Sequence, residues 1–277
     1  MDLIWSGTLQ KMGVKASDPV SYTLCDGFHD ADQRSPDQPV NALIGRRIEL
    51  HFTGMIQCVA CGRKTKKTFN QGFCFPCSQR RAEADICIVK PELCHYFEVD
   101  NPCRDEAFAH AHCFQAHILY LSLTSGFKVG ITRKVNVPSR WIDQGAVKAM
   151  PLAMLPSRRE VGLVEVELAK DFQDRTHWMT MLKQESPEGE LAPAASDVLK
   201  RLDEMGVQGI LPAPARTIYT FTYPVQRYPE KVKSLNLDKT DTVSGTLEGI
   251  KGQYLILDNG VINLRKYTGY QVEIRAN

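Results

Sequence analysis

A chain of 277 residues, 43% of them apolar and with a formal net charge of +2, is long enough for one large globular core or two to three small ones. No run approaches the roughly eighteen apolar residues needed to span a bilayer, and the start MDLIWSGTLQ lacks the basic-then-apolar pattern of a signal peptide. The expectation is a cytoplasmic chain with no membrane partner. So small a net charge implies no polyanion by itself, so any such argument must come from where the charges cluster.

Taken in chain order, residues 1–57 read as an N-terminal β unit. LIWSGTL is followed by a polar Asp/Pro-rich stretch and then ALIGRRIELHFTG, where Ile48, Leu50 and Phe52 alternate against Glu49 and His51. Residues 58–118 form a Cys/His-rich module that holds eight of the nine cysteines, leaving only Cys25 outside. Residues 119–205 read as an α/β core. It opens on the hairpin HILYLSLTSGFKVGIT, turning at Thr-Ser-Gly, and a helix follows from Pro138-Ser139 through Trp141 to Gly145. A second helix is announced by the capping box of Ser157 and Glu160 ahead of Val161, Val164, Leu168 and Phe172 at helical spacing. The stretch 185–197, rich in Pro, Gly, Ser and acids, reads as a linker before a short helix over 197–205. Residues 206–277 return to β pattern, with Asp258-Asn259-Gly260 marking a hairpin turn. The fold class is α+β, with barrel-like β modules at both ends, and whether those are one module or two stays open.

The segment CVACGRKTKKTFNQGFCFPC places two C-x-x-C pairs twelve residues apart. That is zinc-ribbon spacing, and four thiolates from Cys58, Cys61, Cys74 and Cys77 close a tetrahedral shell with no position left for water, which makes the site structural. A redox dithiol would need one C-x-x-C at a helix start, and the second pair argues against it. Four further cysteines, Cys87, Cys94, Cys103 and Cys113, supply a second zinc set in which His95 or His117 could replace one thiolate. Simple buried thiols are the plain alternative there. Around the first site Arg63, Lys64, Lys66, Lys67, Arg80 and Arg81 occur with no acid between Cys58 and Arg81, and Phe69, Phe73 and Phe75 are interleaved. Such a loop can neutralise phosphates and stack on unpaired bases of DNA or RNA; it can equally be a solvated face offsetting the negative thiolate cluster.

Leu119-Tyr120-Leu121, the run Lys128-Val129-Gly130-Ile131-Thr132, Ser139-Arg140-Trp141 and Glu165 resemble the motifs of the GIY-YIG nuclease superfamily. The resemblance implies a small α/β core in which a tyrosine on a hairpin, an arginine on the first helix and a glutamate on a later helix cleave a phosphodiester with Mg2+ or Mn2+. On it, Tyr120 matches the first motif's tyrosine, Lys128 occupies the place of the second motif's tyrosine, Arg140 matches the arginine and Glu165 the metal-binding glutamate. Gln144 stands where many members carry histidine or tyrosine. The chemistry asked of such residues is a cation near the developing charge and a carboxylate to hold the metal. Beyond these motifs the chain is similar to an uncharacterised bacterial family of about this length. Two functions follow as expectations: a zinc-stabilised, nucleic-acid-processing endonuclease, or a catalytically silent nucleic-acid or ribonucleoprotein adaptor.

Overall fold

The computed structural model describes residues 1–172, 176–183 and 187–277. Its strands are β1 Asp2–Thr8, β2 Gly13–Lys15, β3 Ser21–Leu24, β4 Gln38–Pro39, β5 Arg47–Ile56, β6 His117–Leu123, β7 Phe127–Arg133, β8 Lys148–Leu155, β9 Tyr219–Thr220, β10 Thr242–Lys251, β11 Tyr254–Leu257, β12 Gly260–Asn263 and β13 Tyr270–Ala276. Its α-helices are α1 Phe75–Arg80, α2 Glu106–Phe108, α3 Ser139–Asp143, α4 Arg158–Leu168, α5 Trp178–Met181 and α6 Leu191–Glu204. They fall into two compact units, Met1–Gln79 with Thr222–Asn277 and Arg80–Phe221. Among the described residues no helix is long and apolar enough to cross a membrane.

In the first unit the alternation read at Ile48 and Leu50 makes β5 a two-faced strand with those side chains buried. It is built into a six-stranded antiparallel sheet of order β1-β13-β5-β10-β11-β12. The N- and C-terminal β stretches therefore meet in one sheet, with β13 inserted between β1 and β5 and burying Val272, Ile274 and Ala276. The barrel-like expectation is corrected: among the described residues β1 pairs with β13, while β12 takes β11 and one isolated bridge from Ser234, so no barrel closes. The Asp258-Asn259-Gly260 turn is as read, since Leu257 pairs with Gly260 and leaves a two-residue loop. Asp258 accepts from the Thr246 amide at 3.0 Å and Asn259 donates to the Ser244 carbonyl at 2.8 Å, which ties the loop back to β10. A smaller sheet, β2-β3-β4, belongs to the same unit.

The second unit carries a four-stranded antiparallel sheet of order β7-β6-β8-β9. Every residue of β6 is buried, as suits a central strand covered on both faces, and α4 and α6 both pack against it. The β6–β7 hairpin has the register expected from the sequence, Leu123 facing Phe127 at the closed end. Helix α4 starts where its capping box places it: Ser157 accepts from the Glu160 amide, and its hydroxyl donates to the Glu160 carboxylate at 2.9 Å. The predicted linker is partly wrong. Residues 185–186 lie outside the described residues, but from Leu191 the stretch is already helix α6. Leu191, Ala195, Val198 and Leu202 recur at helical spacing and are buried, while Pro193 sits in the first turn, where a missing N–H breaks no helical bond. The run TIYTFTYPV forms only the two-residue β9, because the chain leaves this unit at Phe221 and Pro224 follows.

Candidate functional site

In the first unit the strand β5 delivers the chain to a knuckle. The Cys58 carbonyl accepts from the Gly62 amide and the Cys58 amide donates to the Arg63 carbonyl, both at 2.9 Å, which curls the first C-x-x-C so that both sulfurs face inward. Gly62 holds φ of +68° and lies so close to the His29 ring that a Cβ would stand 2.3 Å from it, so only glycine fits there. A tight turn at Asn70 and Gln71, both at positive φ, returns the chain through the Phe69–Phe73 bridge to Cys74, and Cys77 sits in α1. The four ligand atoms of Cys58, Cys61, Cys74 and Cys77 all lie within 4.8 Å of one another. The Cys61 and Cys74 sulfurs are 3.8 Å apart, the separation that tetrahedral bonds of ~2.3 Å to a single zinc ion impose.

Electrostatics agree with a cation-completed cluster. Burial opposes ionisation of Cys58, yet the backbone amides of Cys74, Ala60 and Cys61 bring its pKa down to about 7. Cys77 is pushed up to about 12 by burial and by the sulfurs of Cys61, Cys74 and Cys58. Four sulfurs this close can hold a divalent ion such as zinc, whose charge would offset that of the thiolates. Arg63, Lys64, Lys66 and Lys67 are exposed on this knuckle, with Lys67 5.0 Å from the Phe69 ring centre and Phe75 more than half exposed. Arg80 and Arg81, also exposed, fall in the second unit, where Arg81 pairs with Glu83 at 3.0 Å.

The second unit brings together the four residues singled out on its hairpin and helices. Tyr120 lies in β6, fully buried, and donates to Gln144 Oε1 at 2.7 Å. Its ring lies directly over Gly130 of β7, where a Cβ would meet the phenol oxygen at 2.7 Å. Burial pushes its pKa up to about 12; Arg140 works against that and Glu165 adds to it. Glu165, half-buried on α4, is raised by burial while Lys128, Arg158 and Arg140 hold it toward the charged form. Hairpin, first helix and second helix thus converge on Glu165, which has three cations and a second carboxylate, Glu92, around it. Arg158 was not singled out from the sequence, although a signal existed: two arginines in the first turn of α4 run against the helix dipole and so need another partner. Its guanidinium donates to the Ile88 carbonyl, and its Nε is buried with no hydrogen-bond partner.

The second cysteine set is placed differently from the first. Cys87, Cys94, Cys103 and Cys113 do not draw together into a tight four-sulfur group. The close group that involves Cys87 is with Asp85 and His95. His95 is occupied by Asn101, whose carbonyl is 2.7 Å from Nδ1, and by Asp85 at 3.4 Å, while Arg104 takes the same Asp85 oxygen at 2.8 Å. His117, the other histidine considered, is wholly buried at the start of β6, with Nδ1 2.7 Å from the Gln115 carbonyl and Nε2 without a hydrogen-bond partner. Burial, with Arg158 and Arg133 adding to it, pulls its pKa down to about 4. Cys25 lies in the first unit, its thiol 3.7 Å from the Thr23 carbonyl.

His117 carries a pH prediction. Its folded pKa of about 4 lies below the ordinary value of 6.5, so as pH falls the unfolded chain takes up the proton first. Stability is lost from about pH 6.5 downward, by up to roughly 3 kcal/mol once pH reaches the folded value. Urea midpoints measured at pH 7 and pH 5 should fall for the wild type, and His117→Gln should flatten that pH dependence whatever its own stability.

No curated protein and no solved structure gives a significant match to this chain. A family model does: the description "Protein of unknown function (DUF2797)" matches residues 45–272, a span that takes in the four-cysteine knuckle, the second cysteine set and the Tyr120–Arg140–Glu165 cluster, and the chain belongs to that family.

Proposed function

We propose that this protein is a metal-stabilised, nucleic-acid-processing phosphodiesterase of divergent GIY-YIG type, active with Mg2+ or Mn2+. The observation that carries the reading is the meeting of Lys128, Arg140, Arg158 and Tyr120 around the carboxylate of Glu165, with Glu92 as a second acid nearby. Glu165 is the group to hold a divalent ion, and Arg140 and Lys128 are the cations to meet the charge that grows on a phosphate under attack. Tyr120, pinned by Gln144 and Gly130, sets the position of Arg140. Replacing Gly130 by alanine should push the phenol aside and lower turnover by about tenfold to a hundredfold with little change in substrate affinity, read as kcat against KM.

One observation favours the second reading, a nucleic-acid adaptor without catalysis. The phenol of Tyr120 is wholly enclosed with its pKa at about 12, which suits a fixed hydrogen-bond donor better than a group that moves protons. In that reading the exposed lysines of the knuckle do the binding. Lys64→Ala, Lys66→Ala, Lys67→Ala in combination should lower affinity for single strands and reduce the slope of log K against log salt by about two, at ~0.7 per phosphate contact. Labelled single-stranded, duplex and branched DNA and RNA, incubated with Mg2+ or Mn2+, separate the two functions. Cleavage supports the enzyme, salt-sensitive binding alone supports the adaptor, and neither removes nucleic acid from the account.

A further inference from the structure

Four cysteines stand outside the knuckle in the second unit, and all four line one cavity. Cys87, Cys94, Cys103 and Cys113 face a space of about 80 Å3, with Arg104 and Arg158 also on its wall. In the knuckle four sulfurs close on a point, every one within 4.8 Å of the rest, whereas no three of these four come that close. A single zinc ion with bonds of ~2.3 Å holds its sulfurs tightly together and fills no cavity. Sulfurs spread around a partly open cavity fit a larger guest that occupies the space itself.

The charges on the wall point the same way. A tetrathiolate-bound cluster carries net negative charge, and a buried negative group requires positive partners or N–H donors. Arg158 is such a partner: it stands on the cavity wall, and its buried Nε–H has no hydrogen-bond acceptor. A coordinated thiolate or bridging sulfide on the cavity side would accept that hydrogen. The Asp85–His95–Arg104 network, with Asp85 accepting from the Cys87 amide at 3.2 Å, fixes the loop that presents Cys87. Tyr96, Phe97, Phe108 and Phe114 supply an aromatic lining on one side of it.

We infer that this cavity binds an iron–sulfur cluster through Cys87, Cys94, Cys103 and Cys113. On coordination each thiol gives up its proton to solvent and forms one bond to iron, the bridging sulfides being part of the guest. His95 stays in the surrounding wall, held by Asn101 and Asp85. Arg158 borders both this cavity and Glu165.

The test is metal and acid-labile sulfide analysis of the full chain, expressed and purified without oxygen, beside its visible absorption spectrum. The expected result is about one zinc per chain together with iron and sulfide in equal amounts, about two to four of each. Cys94→Ser and Cys113→Ser should lose iron, sulfide and the broad visible absorption while keeping zinc, which also reports that the first unit still folds. Cys61→Ser should do the reverse. Two zinc ions with no sulfide would overturn the inference, as would an iron content indifferent to Cys94 and Cys113. So would failure of the wild type to take up a cluster when reconstituted without oxygen from ferric iron, sulfide and a thiol reductant.

Discussion

With a metal held by Cys58, Cys61, Cys74 and Cys77, as their spacing allows, its removal should unfold the knuckle from Gln57 to Gln79 while leaving the strand pairs β1–β13 and β5–β13 formed. The segment has almost no core of its own: Arg63, Lys64, Lys66, Lys67 and Phe75 are exposed, and the fully buried side chains belong chiefly to the two cysteines Cys58 and Cys74. Its shape rests on turns at positive φ that the free chain would not keep, at Gly62, Asn70, Gln71 and Gly72. Metal binding worth roughly 10–16 kcal/mol in small zinc modules is then folding free energy for the segment. Limited proteolysis with and without a strong chelator, under reducing conditions, should show new cleavage confined to this stretch. Cys58→Ser should reproduce that pattern and lose one zinc. If the isolated protein is zinc-free and chelation changes nothing, the four sulfurs are ordinary thiols.

The second large effect concerns Arg140 and Glu165. Loss of either from a phosphodiester-cleaving site removes a charge that acts on the reacting group, and single contributions of this kind are worth about a hundredfold to a thousandfold in rate. Arg140→Ala and Glu165→Gln should each reduce cleavage by at least that factor, and the double variant should cost less than the product because both act on one phosphate. Glu165→Gln is the sharper probe. It keeps the volume of a half-buried side chain but leaves Lys128, Arg158 and Arg140 without their shared carboxylate, so an accompanying stability loss of about 1–3 kcal/mol is expected. Thermal unfolding of both variants beside the cleavage assay separates lost chemistry from lost fold. Unchanged cleavage in both would remove the phosphodiesterase reading.

What could be read in advance divides by sequence distance. The β6–β7 hairpin, the Ser157–Glu160 cap and the Asp258-Asn259-Gly260 turn depend on residues within a few positions of one another, and each appears where its local signal lies. The C-x-x-C knuckle is legible for the same reason. Helix α6 was misread at its start because Pro193 and Gly189 are loop residues by composition, and only burial of Leu191 and Ala195 against the rest of the unit decides for helix. The merging of both β stretches into one sheet was not legible at all, since any strand with one apolar face fits many partners. Arg158 was missed because its meaning comes from groups remote in sequence, Cys87 on one side and Glu165 on the other. The convergence of Tyr120, Arg140 and Glu165 was anticipated only through resemblance, because no spacing rule links a strand to two later helices.

The place of β13 also bears on how the chain comes off the ribosome. The strand that completes the middle of the first sheet is made after the whole of Arg80–Phe221, so that inserted unit, continuous in sequence, has every contact it needs before its host does. Until residues 270–276 emerge, β1 and β5 wait with unpaired edges, the kind of exposed ladder that invites pairing with another chain. Failure of β13 to insert should therefore appear as aggregation through the host's strands.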